Sequence, residues 1–334
     1  MPRRSGRLLV LFWVDRGGRQ AARLRIQCGG RAMSTSQGRD ARRSPRALES
    51  RQSPSVLNPE IWSRIQERAA RELARPRQMF LPGLEPTMRA MPNHIARSSL
   101  FAPLSKTRQR QFLNDYILIS RRDVEIKFTG VQLDESQADV WMQLMHVASA
   151  SPLGEPFDVQ SASILEAMGR QIGGAEYRWL RRAVEALYKA TLIVDVVNKY
   201  RIGDGDSDGD GIRMIDRFRY DASRKQYTLV IDPRWVAMYS NQEFARIDWE
   251  KRLAIKRGQD MAKTLQRLVA TSADKVQRYG LDWLKVKLQY TSPLRKFRVA
   301  LRAALAELER VEVIAAAHIG ISTRGLEQAV WTKL

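Results

Sequence analysis

The segment Thr291-Ser292-Pro293-Leu294-Arg295-Lys296-Phe297-Arg298 contains a strong signal for the start of a helix. Serine is favoured at a helix N-cap, and proline is favoured at the first helical position. Apolar residues then recur at helical spacing to about residue 312: Leu294, Phe297, Leu301, Leu305 and Leu308. We therefore predict a long amphipathic helix with Ser292 as its N-cap and Pro293 as its first residue.

The elements around this helix predict a winged helix. A helix over residues 249–271, a short strand over 276–279 and a short helix over 281–290 precede it. A hairpin of strands 313–319 and 329–332 follows it. A helix-turn-helix followed by a hairpin is the winged-helix arrangement.

The same order occurs earlier in the chain. Helices are predicted over 137–150, 161–168 and 174–190, with a short strand over 157–159 after the first. Strands 192–200 and 227–231 would complete a hairpin. We predict an α+β fold with two tandem winged-helix domains, residues 111–240 and 241–334. A short amphipathic helix and a proline-rich connector, residues 58–110, would precede them.

The N-terminal 57 residues have the composition of a disordered basic tail, rich in Arg, Ser and Gln. The apolar run over residues 8–14 follows three arginines as in a signal peptide, but no Ala-x-Ala-like cleavage site follows it. We interpret residues 1–32 as a leader or an overrun, with Met33 as the expected true start.

Charge is the most informative part of the composition. The 334 residues carry 57 Lys and Arg against 36 Asp and Glu, a net charge of +21. Residues 251–334 carry 17 basic and 7 acidic side chains, whereas residues 101–250 carry 20 and 22. Such a balance favours a polyanionic partner. The single Cys28 excludes a disulfide within the chain, which fits a reducing cytosol.

Candidate DNA-binding residues lie on the predicted second helix of each pair, because that helix enters the major groove. Arg295, Arg298 and Arg302 fall on one stripe of the last helix. Lys296 lies further round, and Arg324 lies in the loop of the following hairpin. Arginine can bind guanine O6 and N7 with both nitrogens. The alternative is an ordinary solvated face.

The corresponding helix of the first domain presents Arg178, Arg182, Glu185 and Lys189 on its outward stripe. Glu185 lies within one turn of Arg182 and Lys189, so pairing within the helix explains part of this charge. We expect this domain to contact phosphates, or to form a dimer or inter-domain surface, and the C-terminal domain to bind more tightly.

The acidic segment Asp204-Gly205-Asp206-Ser207-Asp208-Gly209 resembles the opening of an EF-hand loop. The twelfth position is Ile215 where a calcium loop needs Glu, so we interpret the segment as an acidic wing tip. Phosphate would repel it, which further disfavours base reading by the first domain.

The usual motifs of an enzyme are nearly all missing from the sequence. It contains no P-loop, no Gly-x-Gly-x-x-Gly and no His-x-x-x-His, and its Gly-x-Ser-x-Gly match, Gly205-Asp206-Ser207-Asp208-Gly209, lies inside the acidic segment. His94, His146 and His318 have no neighbouring ligand in sequence, and His146 is expected to be partly buried. We expect no catalytic residue, no metal and no cofactor. Acidic pairs such as Asp134-Glu135 are the sole support for a nuclease.

Several dispersed stretches resemble the TrfA family of plasmid replication initiators. The octapeptide Pro86-Thr87-Met88-Arg89-Ala90-Met91-Pro92-Asn93, with Ala96-Arg97-Ser98 and Leu100-Phe101, is similar to the signature that enters the folded part of that family. Further similarities follow in order at Thr129-Gly130-Val131, Gly154-Glu155-Pro156, around Phe218 and at Trp249-Glu250-Lys251. The resemblance covers about residues 76–315.

This resemblance implies two tandem winged helices and a cytoplasmic, plasmid-associated role in bacteria. Such initiators bind directly repeated sites, called iterons, at a plasmid origin and thereby take part in copy control. They help to melt an adjacent AT-rich segment and recruit the host initiator, the helicase and the sliding clamp. Their dimers are usually inactive, and monomers bind the iterons. The resemblance also places Arg295, Lys296, Arg298 and Arg302 on the C-terminal recognition helix.

The family's clamp contact is a short, glutamine-led apolar motif just before the signature. Gln78-Met79-Phe80-Leu81 occupies that position, although Pro82 replaces the expected aromatic residue, so an ordinary linker is the alternative. A winged-helix transcriptional autorepressor also fits these observations. Direct repeats beside an AT-rich tract would indicate initiation, and a single palindrome would indicate repression.

Overall fold

The structure is a computed structural model that describes residues 85–104, 109–197, 199–203, 211–240 and 243–334. All of them lie in one compact unit, Ala70–Leu334. This unit has two clusters of buried apolar side chains. The first cluster extends from Ala90 to Trp249, and the second extends from Ile255 to Trp331.

The helices in these ranges are α1 (Asn93–Arg97), α2 (Glu135–Ala148), α3 (Ser161–Ala167), α4 (Gly174–Tyr188), α5 (Trp235–Tyr239), α6 (Trp249–Ala254), α7 (Asp260–Ala270), α8 (Leu281–Lys287) and α9 (Leu294–Arg310). The strands are β1 (Met88–Pro92), β2 (Phe101–Ala102), β3 (Phe112–Ile117), β4 (Val124–Val131), β5 (Leu133–Asp134), β6 (Phe157–Gln160), β7 (Thr191–Val196), β8 (Tyr200–Ile202), β9 (Ile212–Arg213), β10 (Arg217–Asp221), β11 (Gln226–Val230), β12 (Phe244–Asp248), β13 (Val276–Gly280), β14 (Ile314–Ile321) and β15 (Glu327–Lys333). The fold is therefore mixed, with helices and mainly antiparallel strands.

Two parts of the fold share one order of elements. Repeat 1 consists of α2, β6, α3, α4, β10 and β11, and its sheet has the order β10-β11-β6. Repeat 2 consists of α7, β13, α8, α9, β14 and β15, and its sheet has the order β13-β15-β14. In each repeat a hairpin follows the long helix, and the short strand before the second helix pairs with that hairpin.

The hairpin predicted for the first domain is wrong. Strand β7 pairs with β4, β8 and β9 in a separate sheet, whereas β11 pairs with β10 and β6. Leu192, Val194 and Val196 on β7 are buried, and strand β4 buries Ile126 and Phe128 in the same sheet. An apolar strand fits more than one partner, so its composition alone does not select one.

This pairing changes which loop is the hairpin tip. The acidic segment over residues 204–210 lies between β8 and β9 and outside the described residues. The tip between β10 and β11 is residues 222–225, which contain Arg224 and Lys225. The prediction of an acidic wing tip for the first domain is therefore wrong.

Part of the predicted connector belongs to the first core. Strand β1 pairs with β12, and Met91, Ile95 and Phe101 are fully buried. Arg89 in the signature octapeptide donates its Nε–H to Gln143 Oε1 at 2.8 Å and lies over the Trp249 ring. Burial lowers the pKa of Arg89 to about 10. The signature therefore packs a core strand, and residues 88–102 are not a linker.

Two helix boundaries also differ from the prediction. The helix expected over 249–271 is two helices, α6 and α7, separated where Gly258 has a φ of +85°. Helix α9 begins at Leu294, because Pro293 is the N-cap residue with an extended backbone, φ −53° and ψ 153°. Ser292 therefore precedes the N-cap. The other predicted domain boundaries stay predictions.

Candidate nucleic-acid interface

Helix α9 has one fully buried face. Phe297, Leu301, Ala304, Leu305 and Leu308 pack into the second core. The spacing of these residues places them on one side of a helix with 3.6 residues per turn. Because this face is packed into the core, the opposite face of α9 points toward solvent.

The exposed face of α9 combines cations with small side chains. Arg295 and Arg302 are exposed on it, with Val299 between them at 65% exposure. Ala303 and Ala306 continue the face, and Lys296 lies at its edge, also exposed. The small side chains let the helix backbone come close to a DNA groove, and the long cationic side chains can then reach into it.

Three predicted cations of this helix are available for a ligand. Among the described residues, the side chains of Arg295, Lys296 and Arg302 have no hydrogen-bond or ion-pair partner. The charge of Arg302 still acts on Glu327, because it helps to lower the pKa of that carboxyl group. The structure therefore brings Arg295, Lys296 and Arg302 together on one solvent-facing surface.

Arg298 differs from these three residues. Its Nε donates to Glu327 Oε1 at 2.9 Å, and its Nη2 donates to Glu327 Oε2 at 2.5 Å. The hydrogen bond to Glu327 raises the pKa of Arg298, and the same bond lowers the pKa of Glu327. Glu327 begins β15, so this pair ties α9 to the hairpin. An acidic neighbour thus holds the guanidinium group that we expected to face DNA bases.

The hairpin tip of repeat 2 is a tight turn over residues 322–326. Ser322 N–H donates to Leu326 O at 2.8 Å, and Gly325 has a φ of +74°, which favours glycine. Arg324 is exposed in this turn and makes a contact with the protein. Ile321 and Leu326 beside it are also exposed, so this tip is partly apolar.

In repeat 1, the predicted cations of α4 are more available than the sequence indicated. Glu185 pairs with Arg181 at 3.0 Å across one turn. The side chains of Arg178, Arg182 and Lys189 are exposed and lack a hydrogen-bond or ion-pair partner within the described ranges. The expected pairing of Glu185 with Arg182 and Lys189 is therefore wrong.

The β10–β11 hairpin adds cations that the sequence analysis missed. Arg217, Arg219, Arg224 and Lys225 are exposed on it. The Asp221 carboxylate accepts the backbone N–H groups of Ser223 and Arg224, at 2.9 and 3.1 Å. An Asp that turns the chain in this way is a recognisable turn signal. The segment Asp221-Ala222-Ser223 could therefore have revealed the turn, and with it the basic tip.

Other predicted sites can be placed only in part. Gln78, Met79, Phe80 and Leu81 lie outside the described residues. His94 is fully buried and has a carboxylate neighbour, because its Nε2 lies 3.3 Å from Glu243 Oε2. Burial lowers the pKa of His94 in spite of Glu243. In the described part of the chain, no cluster of three or more His, Cys, Asp or Glu could hold a metal ion.

A comparison with protein families shows the class of this chain. A model of the family described as TrfA protein matches residues 77–320, which is more than half of the sequence. The chain belongs to this family. A curated relative is the plasmid replication initiator protein TrfA of Escherichia coli, which is 30% identical over 170 residues. The match covers 49% of this chain and 43% of that protein, so the chain spans less than half of the relative's length.

A solved structure has a related fold. The crystal structure of selenomethionine derivatives of domains 2 and 3 of RctB matches with a TM-score of 0.50 and 14% identity. It covers 73% of this chain and 98% of that chain. At this identity the likeness concerns the fold alone, and it supports the mixed architecture described above. None of the described helices is both long and apolar enough to cross a membrane.

Proposed function

We propose that this protein is a plasmid replication initiator. It binds iterons at the plasmid origin, promotes opening of an AT-rich segment and recruits the host initiator and helicase. Membership of the TrfA family and the similarity to the initiator of Escherichia coli support this proposal. The monomer is the iteron-binding form in a monomer–dimer equilibrium. The protein acts in the bacterial cytoplasm as a binding protein and not as an enzyme.

Each repeat acts as a winged helix, with α4 and α9 as the two helices that enter the major groove. The order of elements and the three-stranded sheet in each repeat support this assignment. In such folds the second helix of the pair contacts base edges, and neighbouring elements contact the backbone.

The single observation that carries the proposal is the exposed face of α9. Arg295 and Arg302 can each reach guanine O6 and N7 with two nitrogens, and no protein carboxylate holds them in an ion pair within the described residues. Val299 between them is apolar and suits contact with a thymine methyl group. This combination fits base reading better than a solvated face does.

Repeat 1 contributes mainly phosphate contacts. Arg178 and Arg182 on α4, Lys189 directly after it, and Arg224 and Lys225 on the hairpin tip present exposed positive charges. Contacts of this kind supply affinity that falls with salt concentration and carries little sequence information.

Footprinting on the plasmid that carries the gene tests the proposal. We expect protection of several direct repeats beside an AT-rich tract, and loss of that protection in the Arg295→Ala variant. Protection of one palindrome at the gene's own promoter would indicate an autorepressor instead. Cleavage of DNA on addition of Mg²⁺ would contradict the assignment as a binding protein.

The clamp contact is a separate part of the proposal. Gln78, Met79, Phe80 and Leu81 would bind the host sliding clamp as an extended peptide. We expect the full chain to bind the purified clamp, and the Gln78→Ala/Phe80→Ala variant to lose that binding while its iteron affinity is unchanged. Equal clamp binding by both proteins would contradict this role.

A further inference from the structure

A network of buried charges joins the two repeats. Glu135 on α2 and both Arg252 on α6 and Arg267 on α7 have fully buried side chains. Arg252 Nη2 lies 2.8 Å from Glu135 Oε2, and Arg267 Nη2 pairs with Glu135 Oε1. Thr264 on α7 donates its hydroxyl to the same carboxylate at 2.7 Å. One carboxylate of repeat 1 thus has three partners from the C-terminal part of the chain.

A second carboxylate on α2 extends this network by one helical turn. Arg252 Nε lies 2.5 Å from Asp139 Oδ1, and Lys263 Nζ on α7 lies 2.6 Å from Asp139 Oδ2. Arg252 therefore bridges Glu135 and Asp139 and fixes α6 against two successive turns of α2. Two carboxylates and three cations share this interface.

The Glu135 carboxylate is held in its ionised form. Burial acts to raise the pKa of Glu135, but Arg267 and Arg252 lower it to about 2. Buried ion pairs recover their desolvation cost only in good geometry, and apolar replacements of similar volume are often as stable. What a charged network adds is one preferred arrangement, because any shift of α2 against α7 leaves buried charges without partners.

Polar contacts also hold the opposite end of repeat 2. Lys287 at the end of α8 is fully buried and donates to Ser98 O at 3.0 Å. Gln289 donates to Ser99 O at 2.8 Å. Ser98 and Ser99 follow α1, which packs in the first core. The turn between α8 and α9 is therefore attached to the first core as well.

We propose that these buried links make the two repeats one rigid body, so that α4 and α9 address DNA at one fixed separation and one rotational phase. This inference rests on the proposed function and adds a source of specificity to it. Glu135, Asp139, Arg252 and Arg267 are positioning residues, which touch no DNA and select the spacing between the two contacted segments.

The rigidity is tested first without DNA. Spin labels at Ser163→Cys on α3 and Ala306→Cys on α9, both exposed positions, in a Cys28→Ser background, report the distance between the repeats. We expect a narrow distance distribution that broadens in the Arg252→Met variant. Arg121→Met is the matched control, because it removes an exposed ion pair with Asp123 at 2.9 Å. Unchanged width in Arg252→Met, or equal broadening in the control, would overturn the proposal.

The spacing is tested with DNA. Inserting about 5 base pairs, roughly half a helical turn, between the two footprinted segments of one site places them on opposite faces of the DNA. We expect the parent protein to lose about 100-fold in affinity, because only one repeat can then bind, and Arg252→Met to lose less than about tenfold relative to its own uninterrupted site. An equal penalty in both proteins would contradict the inference and leave DNA binding intact. Absence of any specific DNA binding would instead contradict the proposed function.

Asp139→Asn gives a second variant if Arg252→Met does not fold, as judged by its thermal melting. It keeps the shape of the side chain and removes the charge that Lys263 and Arg252 share. We expect the distance distribution to broaden less than in Arg252→Met. The affinity loss on the DNA with inserted base pairs should also fall, but by less than in Arg252→Met. A folded Asp139→Asn variant that matches the parent in both measurements would overturn the proposal.

Discussion

The long helices of the two repeats both carry several cations but differ in where the carboxylate partners of these cations lie. In repeat 1, Glu185 pairs with Arg181 on the same helix, which leaves Arg178 and Arg182 for a ligand. In repeat 2, a carboxylate from another element, Glu327, takes Arg298. The number of arginines on a helix therefore does not tell how many face a ligand, because carboxylates on the same helix or on another element decide it.

The two hairpin tips differ in the kind of side chain that they expose. The tip of repeat 1 carries the exposed cations Arg224 and Lys225. The tip of repeat 2 presents the exposed apolar side chains Ile321 and Leu326 around Arg324. Repeat 1 thus has exposed cations on both helix and hairpin tip, whereas the hairpin tip of repeat 2 is partly apolar. This difference favours phosphate binding by repeat 1 and base reading by repeat 2.

The largest effect on DNA binding is expected from α9. The double variant Arg295→Ala/Arg302→Ala should lower affinity for the specific site by about 100-fold or more, since each base contact is worth about 1–3 kcal/mol. Binding to random DNA should fall much less, so the specificity ratio should shrink. Titration of labelled specific and random duplexes measures both, with Arg121→Ala as a control cation from another surface. Equal losses on both duplexes would place these arginines on phosphate.

The buried Lys287, which attaches repeat 2 to the first core, predicts that the free energy of unfolding depends on pH. Burial, with Arg267 as a smaller contribution, lowers the pKa of Lys287 from 10.5 to about 7. The unfolded chain keeps this lysine protonated up to about pH 10, so above pH 7 the unfolded state binds more protons and stability rises with pH. We expect the free energy of unfolding to increase by about 2 kcal/mol between pH 7 and 9.

Lys287→Met isolates this contribution. Urea unfolding at several pH values should show a rise in the parent protein and a nearly flat profile in the variant. Lys285→Met on the same helix is the control and should keep the rise. A parent profile that is flat, or that falls over this range, would show that Lys287 stays protonated in the fold.

A smaller loss of affinity is expected from repeat 1. Arg178→Ala/Arg182→Ala should lower affinity by about tenfold on specific and random DNA alike, because phosphate contacts carry no sequence information. The slope of log affinity against log salt concentration should decrease by about two, one for each lost contact. A loss confined to the specific site would show that α4 reads bases, and the contrast between the repeats would disappear.

Local patterns in the sequence predicted much of this fold. Helix α9 was predictable because Phe297, Leu301 and Leu305 recur at helical spacing after a proline. The pairing of β11 was not, because the apolar strand β7 also fits a hairpin with β11, and only its pairing with β4 in another sheet decides its place. The same limit applies to the candidate site. Arg298 and Glu327 are 29 residues apart, so no helical periodicity reveals their contact.

Arg298 gives the smallest and most discriminating effect. If it reads a base, Arg298→Ala should cost tenfold or more at one position of the site, and Glu327→Ala should improve binding by releasing it. If it positions the hairpin, both variants should lose the same modest affinity, about twofold to fivefold, with no change in base preference. The double variant should then be no worse than either single one, because one shared contact is removed once. We expect the second pattern. A double-mutant cycle of Arg298 and Glu327, measured as affinity for the specific site, tests this expectation. Additive losses of affinity would indicate that Arg298 contacts bases.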